Sequence, residues 1–118
     1  VGILGVTYKA GTSTLRRAIS LDIAWHLIRQ GATVKAFDPL ANFTEPTELP
    51  PMEICTSPYE AARGSSALVL VTEWADLPNL DLQQLRRQMR GDLFLDTRNL
   101  LDPMRMAEAG FRYFGIGR

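Results

Sequence analysis

VGILGVTYKAGTSTLRR, residues 1–17, is the stretch whose reading decides the fold. It opens on Val1, Gly2, Ile3, Leu4 and Gly5, an apolar run without a charge. The run breaks into a polar segment carrying Lys9, Thr12, Ser13, Thr14, Arg16 and Arg17, and a helical pattern follows. A short apolar run ahead of a helix reads as a buried strand. Val1–Gly5 is therefore the first strand, and the polar segment is the loop leaving it. Loops held by a rigid scaffold carry function. This one sets three cations and several hydroxyls close to a helix N-terminus, which suits a phosphate group.

Outward from that stretch, Ile19, Ile23, Ala24, Leu27 and Ile28 recur at helical spacing through Gln30, and Gly31 is placed to end the helix. Thr33–Phe37 reads as a second strand closed by Asp38-Pro39. Ala41–Pro51, rich in Pro, Thr and Glu, reads as a surface loop, and Met52–Cys55 as a short third strand. Ser57-Pro58-Tyr59-Glu60 has the N-cap, first-position and third-position residues of a helix start, and Gly64-Ser65-Ser66 ends that helix. Ala67–Thr72 is the clearest strand. A turn over Glu73–Asn79, a helix over Leu82–Arg90 and a fifth strand over Leu93–Thr97 follow. Pro103 opens a short helix ending at Gly110, and Arg112–Ile116 is the sixth strand.

Strands alternating with helices over short links predict an α/β fold: a Rossmann-like three-layer domain around a mainly parallel six-stranded sheet. In the doubly wound order 3-2-1-4-5-6 the chain changes direction between strands one and four, and ligands bind outside the carboxyl ends there. Thr7–Arg16 and Thr72–Trp74 are the loops at that point, with Thr97–Asn99 beside them. This topology brings Lys9 and Arg98 together from distant parts of the chain.

The 118 residues are 46% hydrophobic and 22% charged with zero net charge, the profile of one globular domain. Without a global field, neither nucleic acid nor an anionic membrane is an expected partner. One cysteine, Cys55, excludes an internal disulfide and fits a reducing cytoplasm. No apolar run approaches the ~20 residues that span a bilayer. The chain starts inside its first strand without an initiating methionine, so it reads as a piece of a longer protein.

Gly2-Ile3-Leu4-Gly5 does not complete the dinucleotide fingerprint, leaving close packing as the alternative use of both glycines. Asp38 stands where an NAD-binding sheet places its ribose acid; without the fingerprint, a turn and cap role fits better. Lys9 and Arg16 read as ligand residues and Arg17 as a solvated charge. Arg98 could grip a phosphate through two parallel bonds or form an ion pair with Asp96, and spacing leaves both open. His26, mid-helix, reads as structural, Cys55 as an inert buried thiol, and Trp25 and Trp74 as packing residues. Trp74 could also wall the pocket. No nucleophile–base pair and no metal-spaced cluster stands out, so the domain reads as one that binds.

Five segments carry a resemblance that runs the length of the chain: GVTYKAGTSTLR (Gly5–Arg16), GATVKAFDP (Gly31–Pro39), SPYEAARGSSALVLVTEW (Ser57–Trp74), LFLDTRNLLDP (Leu93–Pro103) and the terminal AGFRYFGIGR. The chain resembles the C-terminal, UDP-binding domain of the UDP-glucose/GDP-mannose dehydrogenases. By that resemblance Tyr8 and Lys9 match the aromatic–lysine pair of the nucleotide-sugar site, and Arg98 matches the arginine of an Asp-Gly-Arg-Asn segment. Arg16 matches the arginine that reaches NAD held by another domain. Thr97 replaces the usual glycine. Thr14, Arg17 and Ala18 stand where an aspartate, a glutamate and a serine are usual, which makes this loop more basic than the family pattern.

The resemblance further implies that residues 1–118 are one domain of a longer, homo-oligomeric chain. An N-terminal NAD-binding domain and a central helical region would precede it. It implies an NAD-dependent nucleotide-sugar 6-dehydrogenase, most simply one oxidising UDP-glucose to UDP-glucuronate through a thioester on a cysteine outside this stretch. The alternatives are UDP-N-acetylmannosamine or GDP-mannose as substrate, or a non-catalytic nucleotide-sugar-binding module.

Overall fold

A computed structural model describes residues 1–15, 18–44 and 48–116. The strands are β1 (Gly2–Leu4), β2 (Lys35–Phe37), β3 (Glu53–Cys55), β4 (Ala67–Leu70), β5 (Leu93–Asp96) and β6 (Arg112–Gly115). They form one sheet in the order β3-β2-β1-β4-β5-β6 with every neighbouring pair parallel, which is the expected doubly wound order. Strand cores are shorter than the apolar runs, but ladder bonds continue past them. Gly5 N–H donates to Phe37 C=O at 2.8 Å and Val71 N–H to Leu4 C=O at 2.9 Å.

Among the described residues four α-helices connect the strands: α1 (Ile19–Arg29), α2 (Pro58–Ala62), α3 (Leu82–Gln88) and α4 (Pro103–Glu108). Local sequence sets their ends. Ser57 caps α2 by accepting Glu60 N–H at 3.0 Å, and Asp81 and Asp102 do the same for α3 and α4. Gly31, with φ +93°, closes α1: its N–H donates to Ile28 C=O and that of Ala32 to Leu27 C=O, the paired bonds of a Schellman end. Helix α3 stops at Gln88, two residues early, because the amides of Arg90 and Gly91 turn away to Ser65 C=O.

Successive strand residues alternate between two cores. Ile3, Val69 and Val71 pack with Leu21 and Ala24 of α1, whereas Leu4, Leu68, Leu70 and Phe94 pack with α2, α3 and α4 through Ala61, Leu85 and Met106. These are the three layers predicted. Gly2 is a packing glycine, since a Cβ there would stand 2.7 Å from Ala61 O of α2. Among the described residues no helix is long and apolar enough to cross a membrane.

Candidate functional site

Where the chain changes direction between β1 and β4, the loops leaving β1, β4 and β5 enclose a cleft of about 360 Å³. Thr7 and Tyr8, Ile19 of α1, Thr72, Thr97 and Arg98 form its walls. Two carboxylates shape these loops from below. Asp38, just past β2, accepts Val6 N–H at 2.7 Å and Thr7 N–H at 3.0 Å on Oδ2, and the amides of Leu40 and Ala41 on Oδ1. The turn and cap role is therefore observed, and it reaches across to the first loop. With both oxygens committed to amides and the glycine fingerprint incomplete, this sheet does not fit a dinucleotide bound in the usual way.

Asp96 does the same for the loop after β5. It is fully buried, and it accepts from Arg98 N–H, Leu100 N–H, Leu101 N–H and the Tyr113 hydroxyl at 2.7–2.9 Å. An ion pair between Asp96 and the Arg98 side chain does not form. The Arg98 guanidinium pairs instead with Glu73, Nη2 to Oε1, at 3.6 Å. Asp96 recognises the backbone of Arg98 and leaves its head group free for another partner.

Hydroxyls at the starts of these loops donate to backbone carbonyls. Thr7 Oγ1 donates to Lys9 C=O, Thr72 Oγ1 to Thr7 C=O at 2.9 Å, and Thr97 Oγ1 to Leu70 C=O at 2.7 Å. Their protons tie the three loops together. Among the described residues, the side-chain donors that the cleft offers an anion are the Arg98 guanidinium and the Tyr8 phenol. The start of α1 adds to these, because its N-cap, Ala18, has no side chain to satisfy the first amides.

Tyr8 and Arg98, expected at one site, do line one cleft. Lys9 lies on the exposed turn beyond Tyr8, where its carbonyl accepts the Thr12 amide and hydroxyl, and it is not part of the cleft wall. Arg16 and Arg17 fall outside the described residues. Trp74 stacks edge-on against Phe37 at 5.3 Å and walls two neighbouring apolar cavities of about 440 and 330 Å³ rather than this cleft. His26 sits exposed on α1.

Cys55 is buried on β3, as expected of an inert thiol. Burial, then the hydrogen bond and charge of Glu53 and the proximity of Glu60, push its thiol up from 9.0 to about 12. Ligand atoms of Glu53, Cys55 and Glu60 lie within 4.8 Å of one another, a grouping that sequence spacing did not reveal. A metal needs the thiolate, and this setting opposes it. Ellman's reagent is expected to modify Cys55 at least tenfold more slowly at pH 8 in the native than in the urea-unfolded chain. The same displacement makes stability fall as pH rises above about 9, where only the unfolded thiol loses its proton. Equal labelling rates in the two states would refute this reading.

A doubly wound sheet with an arginine and the start of a helix at one cleft at its switch point has the architecture of the nucleotide-binding class of α/β domains. More narrowly, the chain belongs to the UDP-glucose/GDP-mannose dehydrogenase family, whose UDP binding domain matches residues 2–103. It is 45% identical to the UDP-glucose 6-dehydrogenase of Pseudomonas aeruginosa over 100% of its own length and 27% of that protein's. With the UDP-glucose 6-dehydrogenase of Rickettsia prowazekii it shares 34% identity over 99% of this chain and 27% of the relative. The UDP-D-ManNAc dehydrogenase structure from Pyrococcus horikoshii superimposes with a TM-score of 0.76 at 26% identity, covering 99% of this chain and 25% of that one. The chain thus spans about a quarter of the length of the relatives it matches.

Proposed function

We propose that residues 1–118 are the nucleotide-sugar-binding domain of a longer, homo-oligomeric cytoplasmic NAD-dependent nucleotide-sugar 6-dehydrogenase, with UDP-glucose as substrate and UDP-glucuronate as product. The observation that supports it best is the conjunction of Tyr8 and Arg98 in one switch-point cleft within a chain 45% identical, end to end, to a UDP-glucose 6-dehydrogenase. In this reading the Arg98 fork takes two diphosphate oxygens, helped by the positive end of α1, and Tyr8 shapes the pocket. Lys9 reaches the nucleotide sugar from the exposed turn, and Arg16 contacts the cofactor across an interdomain cleft. NAD supplies the oxidant and is held by the N-terminal domain, because the first turn of this sheet is not built for it. The share of this chain is to bind and orient the substrate.

In the full-length protein, Arg98→Ala is expected to weaken UDP binding about ten- to a hundredfold, the worth of a charge-assisted contact. Lys9→Ala weakens it by less, and Arg17→Ala changes it little. Calorimetric titration with UDP measures all three. Titration with UDP-glucose, UDP-N-acetylmannosamine and GDP-mannose while following NADH identifies the substrate, and the 118-residue chain alone should form no NADH. UDP binding unaffected by Arg98→Ala would refute the site.

A further inference from the structure

Arg98 is held from two directions. Its amide donates to Asp96 Oδ1 at 2.9 Å, which fixes the backbone. Its guanidinium is met by Glu73, which belongs to the loop leaving the neighbouring strand β4. The two loops keep a fixed relation, because Leu70 lies opposite Asp96 in the sheet and Thr97 donates both N–H and Oγ1–H to Leu70 C=O at 3.0 and 2.7 Å. Glu73 lies three residues beyond Leu70 on the loop leaving β4, and Arg98 directly follows Thr97 on the loop leaving β5.

We propose that Glu73 is a positioning residue for Arg98, holding the guanidinium on the cleft wall so that its free edge meets the diphosphate of a nucleotide sugar. The proposal rests on the function inferred above and adds a residue to it. One Glu73 oxygen approaches one terminal nitrogen at 3.6 Å, an ion pair longer than a hydrogen bond. The arginine has five N–H donors, and a phosphate needs two in parallel, so both partners fit on one fork. Glu73 lines the apolar cavity next door, whereas Arg98 lines the cleft. The Arg98 side chain is 49% exposed, and without a partner its rotamers must be ordered when ligand binds, at a cost in affinity. Glu73 does that ordering beforehand.

Two measurements test this. In the full-length enzyme, Glu73→Gln should raise KM for UDP-glucose about three- to fivefold with the loss absent from kcat, the scale of a half-exposed ion pair. In an Arg98→Ala background the same substitution should add nothing. In the 118-residue chain without nucleotide, 15N relaxation of the Arg98 Nε–Hε group should show faster motion in Glu73→Gln than in the parent. A lowered KM would overturn the proposal, because Glu73 would then be screening the arginine. An equal loss in the Arg98→Ala background would overturn it as a merely structural effect, and so would unchanged Arg98 relaxation. A parent enzyme that turns over no nucleotide sugar would refute the underlying function, while the relaxation measurement would still decide the positioning.

Discussion

Gly5→Ala is expected to destabilise the domain by about 4 kcal/mol, a large share of the ~5–15 kcal/mol that holds a domain of this size together. Gly5 has φ +82°, where an L side chain is strained by about 1–2 kcal/mol. The larger cost is collision: the added methyl carbon would stand 1.8 Å from Thr72 O, and 2.6 and 2.7 Å from Thr72 C and N. These are backbone atoms, which cannot rotate aside as a side chain could. Nor can Thr72 retreat, because its hydroxyl holds Thr7 C=O while Val71 N–H holds Leu4 C=O. The substitution therefore prises apart β1 and β4 at the junction that builds the cleft. Gly31→Ala is the control, with φ +93° but nothing within 4 Å of an added Cβ, and it should lose only about 1 kcal/mol. Urea unfolding midpoints at equal m-value measure both. Equal losses for the two variants would show that the junction relaxes and that the collision costs nothing.

This junction also shows why the fold was easier to read from the sequence than the site. Parallel strands covered on both faces are continuous apolar runs, and the helix ends are written in neighbouring residues: Ser57-Pro58, Asp102-Pro103, Gly31. Element order and the direction of the sheet follow from those local signals; the same topology points to Lys9 beside Arg98, but it is Tyr8 that lines the cleft with Arg98 while Lys9 stays on the exposed turn. The partner of Arg98 does not follow. Asp96 is its neighbour in sequence and Glu73 is not, but Asp96 turns its carboxylate onto amides, while loop lengths after two adjacent strands carry Glu73 to the guanidinium. Thr12, one of the loop hydroxyls read as suited to a phosphate, is engaged in the same way, donating to Lys9 C=O. A hydroxyl in a polar loop looks available to a ligand, yet Thr7, Thr72 and Thr97 meet carbonyls on their own or adjacent loops. Whether a polar group is free depends on its tertiary partners, which spacing alone does not encode.

Asp96→Asn is the second substitution with a large expected cost, about 3–4 kcal/mol, although it changes almost no volume. The buried carboxylate accepts four times: Arg98 N–H on Oδ1, and Leu100 N–H, Leu101 N–H and the Tyr113 hydroxyl on Oδ2. Asparagine has one oxygen. Placed at Oδ2 it keeps three partners as weaker, uncharged bonds and points its NH2 at the Arg98 amide, donor against donor. Placed at Oδ1 it keeps one and confronts the amides of Leu100 and Leu101, while the Tyr113 hydroxyl must turn its proton to Leu101 C=O and accept. Either orientation leaves a donor unsatisfied where water does not reach, since Asp96 is 0% exposed. Tyr113→Phe removes a single donor to that carboxylate and should cost about 1 kcal/mol, so the ratio of the two losses separates collapse of the network from loss of one bond. The consequence extends to the cleft. Residues 97–101 follow the path these bonds impose, so Asp96→Asn should weaken UDP binding by at least as much as Glu73→Gln, at temperatures where the variant remains folded. Asp96 would act there through Arg98 alone, and in an Arg98→Ala background the binding loss should vanish while the stability loss stays. A binding loss that persisted in that background would mean the carboxylate shapes the cleft by some route other than Arg98.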